Sequence, residues 1–425
     1  LDRDGDGYMS MFGGGDCDDF DPAIGPDRGD VVGNGIDEDC DGKDALTSLE
    51  RRTCAGTRES ALLIRERARS HPTVVLAIDS LRADRVGDDA YPHLARFARE
   101  SVQFSHAFSA ASSTSRSVPG MLTGVPLPLP VDRSVYERLR STKKTTAWVS
   151  PDIVLETITG ELPVKSTINY PVRRGFDRVE VIPTGHVGMK AFGGGISERT
   201  DAAVTDRAFE LLNSTQPPDV MWVHYFDVHQ WHTLSKQSSE PSTQYDEVLR
   251  GTDTEIGRWL ARADDINLVI VSDHGEGLGE HDYRHHSVFL WRELTRVPFL
   301  LRIPGVVPAV VSTPVSMLDF APTLLDMLGH ANRRDASFSL LNLTGRVGFE
   351  GCHFAFFEMH HVSLVDGHYR VIVDRRSRAM WLFNLVEDPN ELRDLAGSQF
   401  DRARTLAKQA RDLLNVTLRR RDAAQ

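Results

Sequence analysis

Three apolar stretches of this chain end in aspartate: "TVVLAID" (73–79), "DVMWVHYFD" (219–227) and "NLVIVSD" (267–273). A terminal aspartate often does no more than cap the next turn. The segments beginning at these aspartates are richer in chemistry: "DSLRADR", "DVHQWH" and "DHGEGLGEHDYRHHS". The last places His274, Glu276, Glu280, His281, His285 and His286 on a glycine-punctuated loop without apolar periodicity. That is a poor way to build a core and a natural way to hold a metal or an oxyanion. A second stretch, "FSAASSTSRSVPGMLTG" (108–124), sets five hydroxyls, Ser112, Ser113, Thr114, Ser115 and Ser117, around Arg116. A free hydroxyl is a weak nucleophile near neutral pH and acts as one only when a neighbouring base or metal activates it.

The elements that must position these groups can be read from periodicity. Each apolar run is short and rich in β-branched residues, the pattern of a buried strand. Amphipathic helical stretches separate them, notably 200–213 and 245–263. Alternating strands and helices predict an α/β sheet, in which ligands sit at the carboxyl ends of the strands. Asp79, Asp227 and Asp273, far apart in sequence, would then converge; Asp227 and His232 would either hold a second ion or line the pocket. A helical, Arg/Glu-rich connector at 46–70 precedes the first strand.

The 425 residues carry a formal charge of -12, but residues 1–44 alone hold fourteen Asp/Glu against three Lys/Arg. The acidity belongs to that head, and the nearly neutral body gives no electrostatic reason to expect nucleic acid. In the head, Asp2, Asp4, Asp6, Asp16, Asp18, Asp37, Asp39 and Asp41 recur at alternate positions among glycines, a pattern that turns carboxylates onto a hard cation such as calcium. Gly13 stands where an EF-hand needs a bidentate Glu, so an EF-hand is not expected. A disordered acidic linker is the alternative. Of Cys17, Cys40, Cys54 and Cys352, the first two sit in these loops, where a disulfide would staple a module without a core; four unrelated thiols are the alternative. The chain opens at Leu1 rather than Met and has no apolar run long enough to span a membrane; a signal peptide or membrane tether upstream of it would be compatible with this start.

The motifs "VVLAIDSLRADRVG", "YPHLARFARESVQFSHAFS", "TSRSVPGMLTG", "VHYFDVHQWH", "VSDHGEGLGEH", "RVPFLLRIPG", "SMLDFAPTLLDMLG" and "WLFNLVEDPNELRDLA" together resemble, in order, the sulfatase family of the alkaline phosphatase superfamily. The head resembles the Asp-rich calcium-binding repeats of the thrombospondin type 3 kind. The resemblance implies a large central mixed sheet flanked by helices, a smaller C-terminal α+β subdomain and a short acidic, loop-rich N-terminal module. The expected boundaries are 1–44 for the calcium module, 45–71 for the connector, 72–330 for the catalytic domain and 331–425 for the subdomain with a terminal helix. Carried over by position, Asp79, Asp273 and His274 are metal ligands, His229 contacts the transferred group, and His281 and His286 hold oxyanions or protonate the leaving group.

Two registers compete for the nucleophile. The family's "LTG" ends ten residues after it, which from Gly124 selects Thr114; "SSTSR", read by its local pattern, selects Ser112. Thr114 is preferred, since relatives with an unmodified threonine share the spacing of "TSRSVPGMLTG". Arg116 would hold the same tetrahedral group through its bidentate donors. No cysteine lies in this loop, so a Cys-derived formylglycine is excluded. Ser80 replaces the second of the family's usual adjacent carboxylates, which shifts the expected divalent metal from calcium or magnesium toward zinc or manganese. The expected function is hydrolysis of a sulfate or phosphate ester through a covalent intermediate on Thr114, outside the cytoplasm, on an envelope lipid or polysaccharide. Two alternatives are a phosphoglycerol- or phosphoethanolamine-type transferase of the envelope, and a non-catalytic calcium-binding surface protein.

Overall fold

The computed structural model describes residues 17–18, 58–160, 169–184, 198–235, 239–332, 335, 338–343 and 353–423. Apart from Cys17 and Asp18, the acidic head with Asp2, Asp4, Asp6, Asp16, Asp37, Asp39 and Asp41 lies outside these residues. Cys17 is disulfide-bonded.

Eight strands form the main sheet: β1 (Thr73–Ile78), β2 (Val102–Phe104), β3 (Thr146–Pro151), β4 (Arg178–Ile182), β5 (Val220–Tyr225), β6 (Asn267–Val271), β7 (Phe299–Arg302) and β8 (Ala309–Val311). Their order across the sheet is β8-β2-β7-β6-β1-β5-β3-β4. β4, β3, β5, β1 and β6 run parallel, and β7 pairs antiparallel with both β6 and β2, so the sheet is mixed. β1, β5 and β6 are buried at every position, which explains why they read as unbroken apolar runs rather than alternating ones. Across the β3–β5 pair Trp148 stacks on Trp222 at 5.7 Å.

Helices cover the sheet. α1 (Arg58–Ala68) falls in the expected connector; α2 (Pro92–Arg99), α6 (Asp201–Leu212) and α7 (Pro241–Leu260) pack as one group. α3 (Thr114–Thr123), α4 (Val135–Arg140), α5 (Asp152–Thr159) and α8 (Phe320–Met327) pack as another. α3 stops at Gly124, whose φ of +73° closes the last turn with a bond to Gly120 O at 2.8 Å.

The C-terminal part is a four-stranded antiparallel meander, β9 (His353–Glu358), β10 (His361–Asp366), β11 (Tyr369–Asp374) and β12 (Met380–Asn384), followed by α9 (Phe400–Ala423). Strand alternation sorts its side chains. Phe357, Val362, Val371 and Leu382 meet Leu406, Ala407 and Ala410 of α9, while Phe354, Phe356, Ile372 and Phe383 meet Phe108 and Leu290 of the larger part.

Candidate active site

The register of the three central strands brings the predicted carboxylates together. Ala77 of β1 lies beside His224 of β5 and Val271 of β6, so Asp79 and Asp273 both emerge at the same carboxyl edge. One atom each of Asp79, His224 and Asp273 falls within 4.8 Å of the others, all buried. Thr114, the first residue of α3, points into this group: its Oγ1 is 3.1 Å from Asp79 Oδ2 and 3.1 Å from His274 Nε2. His274 Nε2 is also 3.5 Å from Asp79 Oδ1 and 3.5 Å from Asp273 Oδ2.

The loop that carries His274 is pressed against residues 293–294. A Cβ on Gly275 would stand 2.0 Å from Glu293 O, so only glycine passes. Ser80 adopts a left-handed φ of 62° and uses both its donors here: Oγ to Asp79 Oδ1 at 3.1 Å and N–H to Asp273 Oδ1 at 3.3 Å. Tyr245 holds that turn, donating its hydroxyl to Ser80 O at 2.9 Å.

The partners of the two imidazoles assign them different roles. His274 Nδ1 lies 2.8 Å from Gly275 O, which only accepts, so Nδ1 carries a proton and Nε2 is the nitrogen turned into the group. His224 is the reverse. The indole N–H of Trp222 donates to its Nδ1 at 3.3 Å, so the proton sits on Nε2 and is donated to Asp79 Oδ2 at 3.4 Å. His224, a member of the close group of three, therefore donates to Asp79 and orients it, whereas His274 turns Nε2 toward Asp79 and Asp273.

These groups fit a divalent cation. Asp273 Oδ2 is buried without a hydrogen-bond partner. Burial, and next the charge of Asp79, push Asp273 up. Two buried carboxylates this close repel when both are ionised, and a cation between them removes that repulsion.

Around this centre His286 lies 4.3 Å from His274 and 4.7 Å from His229, ring to ring. Its Nδ1 faces both oxygens of Glu276, at 3.3 and 3.4 Å. Burial opposes a charge on His286, but Glu276 overcomes it and raises the imidazole above its ordinary value. Burial would likewise raise Glu276; His286 instead holds it down at about 2. His229 is pushed down to about 3, chiefly by burial, and is neutral.

Other predicted residues lie elsewhere. His281 stacks on Trp291 at 4.3 Å and pairs with Glu293 at 2.8 Å. His232 lies beside His285. Asp227 accepts from Thr200 N–H at 2.7 Å and Thr200 Oγ1 at 3.0 Å, which ties β5 to the start of α6. Ser112 Oγ is buried without a hydrogen-bond partner, and Arg116 is paired with Glu358 of β9. Neither His224 nor Glu358 was singled out from sequence. The one signal for His224 was a lone polar residue within an apolar strand; Glu358 had none.

The sulfatase family profile matches residues 72–330, and the chain belongs to the sulfatase family. Arylsulfatase K of Danio rerio is 28% identical over 227 residues, 46% of this chain and 43% of that protein. The chain thus spans less than half the length of this curated relative. Among solved structures, a 2-O GAG sulfatase matches with a TM-score of 0.61 at 14% identity, over 82% of this chain and 92% of that one. A second, solved in complex with its substrate D-glucosamine-2-N,6-O-disulfate, matches with a TM-score of 0.58 at 14% identity, over 82% and 98%. At such identities the two likenesses establish the alkaline phosphatase-like sulfatase fold.

Proposed function

We propose that this chain is a metal-dependent hydrolase of sulfate esters whose nucleophile is the hydroxyl of Thr114. The observation that carries this is the position of Thr114 Oγ1, 3.1 Å from both Asp79 Oδ2 and His274 Nε2. Asp79, Asp273, His274 and Thr114 would hold a divalent cation; two carboxylates, an imidazole and a hydroxyl suit zinc or manganese. Bound there, the cation would supply the positive charge that makes ionisation of a hydroxyl feasible near neutral pH.

The chain's own groups then divide the work. Thr114 Oγ1 attacks the sulfur of the ester, its proton leaving along the hydrogen bond to Asp79. The bond from sulfur to the ester oxygen breaks, and protonated His286, held by Glu276, gives its proton to the departing alcohol. His229 is neutral and placed to donate a hydrogen bond to the transferred group. Water then attacks the sulfur, giving a proton to His286, as the bond from sulfur to Thr114 Oγ1 breaks and Asp79 returns its proton to that oxygen.

The substrate class favoured is a sulfated saccharide, supported by the family and by the sulfated sugar bound to a protein of the same fold. The absence of cysteine from residues 108–124 favours a second reading, a phosphate ester at the same threonine. An Asp-rich head holding calcium agrees with an extracytoplasmic setting. Among the described residues no helix is long and apolar enough to cross a membrane.

The test is turnover of aryl sulfates and aryl phosphate esters by three proteins, with mass spectrometry of the peptide 108–124 after a substrate pulse. Thr114→Ala is expected to lose more than about a thousandfold in kcat, as nucleophile deletions do. Ser112→Ala is expected to keep most activity. A dead Ser112→Ala beside an active Thr114→Ala would reverse the assignment, and faster turnover of phosphate than sulfate would favour the second reading.

A further inference from the structure

The turn that carries Thr114 is held from the C-terminal subdomain. Along β9, Phe354 and Phe356 face the larger part and Phe357 faces α9. Glu358 falls on the parity of Phe354 and Phe356, so the pleat of the strand delivers its carboxylate, 1% exposed, toward α3. Its Oε2 accepts from Ser113 Oγ at 2.7 Å, and its Oε1 is paired with Arg116 Nη1. Phe357 N–H reaches Ala110 O at 3.4 Å, a further tie between strand and turn.

Ser113 is the N-cap residue of α3, with extended φ and ψ of -149° and 139°. A serine there ordinarily turns its hydroxyl onto an N–H of the first turn. Ser113 makes no such cap bond; its hydroxyl is committed to Glu358.

We propose that Glu358 is a positioning residue: by holding Ser113 and Arg116 on either side of Thr114, it keeps the N–H groups of Thr114 and Ser115, at the start of α3, uncapped and open to a tetrahedral oxyanion. The proposal rests on the reading of Thr114 as the reacting residue. Beside this turn Asp273 Oδ2 is buried without a hydrogen-bond partner in the group that Thr114 faces, which points to a cation there that would hold the same anion from its other side. With Glu358 removed, the Ser113 hydroxyl is free to swing back onto the helix and compete with the anion.

Equilibrium binding of inorganic sulfate to the full chain, by titration calorimetry in one manganese-containing buffer, tests this without relying on turnover. Glu358→Ala is expected to weaken sulfate binding about fivefold, the worth of one N-cap hydrogen bond. Glu358→Ala with Ser113→Ala is expected to recover most of that loss, because no hydroxyl remains to cap the helix. Glu358→Leu, which fills the space, gives the same readout should the alanine variant fail to fold. A merely structural role would leave the double variant no better than the single one, and that result would overturn the proposal. So would wild-type affinity in Glu358→Leu, or a wild-type chain that binds no sulfate. The expected pattern in a chain that hydrolyses no ester would instead uphold the positioning role and remove the hydrolase reading.

Discussion

Glu276 and His286 respond to pH in opposite senses, which makes their coupling measurable. Glu276 is depressed from 4.5 to about 2, so its contribution to stability is present above pH 4.5 and is lost as pH falls from there toward 2. His286 is raised above 6.5, so its contribution is present below pH 6.5 and is lost as pH rises through its folded value. Between these limits the couple is an ion pair. If His286 delivers the proton to the leaving group, kcat falls on the alkaline side as that imidazole loses its charge. Glu276→Gln removes the group that raises His286, and the alkaline limb is expected to move to lower pH. A limb unmoved in a folded variant would assign that proton to another residue.

At the scale of elements, the subdomain sheet is fastened by one buried arginine. Arg370 of β11 lies against the rings of both Phe108 and Phe356, at 5.2 and 5.1 Å. It bonds both oxygens of Glu391, at 2.8 and 2.7 Å, and reaches Leu290 O and Thr295 Oγ1 of the larger part. Arg370→Ala leaves Glu391 charged and buried, so a loss of about 3–5 kcal/mol is expected in denaturant unfolding. Replacing Arg370 and Glu391 together by leucine should cost far less, since no charge is then stranded. A small loss in Arg370→Ala would mean that apolar packing at Phe354 and Phe356 fastens the subdomain without the ion pair. If Glu358 acts as proposed, loosening this sheet also weakens sulfate binding.

For the molecule as a whole, the paired carboxylates couple stability to metal. A ligand that binds only the folded state stabilises it by about 2.7 kcal/mol at a hundred times its dissociation constant. Chelation is therefore expected to lower the unfolding temperature, and zinc or manganese to restore it. Asp273→Asn relieves the repulsion from Asp79, so the metal-free variant should unfold at a higher temperature than the metal-free wild type yet gain little on adding the ion. Equal shifts with metal in both proteins would place the cation elsewhere.

Much of this was legible in the residues alone. Unbroken apolar runs marked β1, β5 and β6 because strands buried on both faces need no polar alternation, and their terminal aspartates marked the edge where Asp79 and Asp273 meet. Counting back from Gly124 singled out Thr114, whose hydroxyl faces that edge. Local periodicity and motif spacing carry such information because it lies within a few residues along the chain. The role of His224 was not legible, since it depends on which ring nitrogen the neighbouring indole occupies. Nor was the pairing of Ser113 with Glu358, 245 positions apart, because only the docking of the subdomain sheet decides which face of β9 meets the turn that carries Thr114. The sequence by itself determined which chemical groups stand at the strand ends and at the head of α3. Tertiary structure alone decided which of them are bound, oriented or left open, because hydrogen-bond partners are chosen by contact in space.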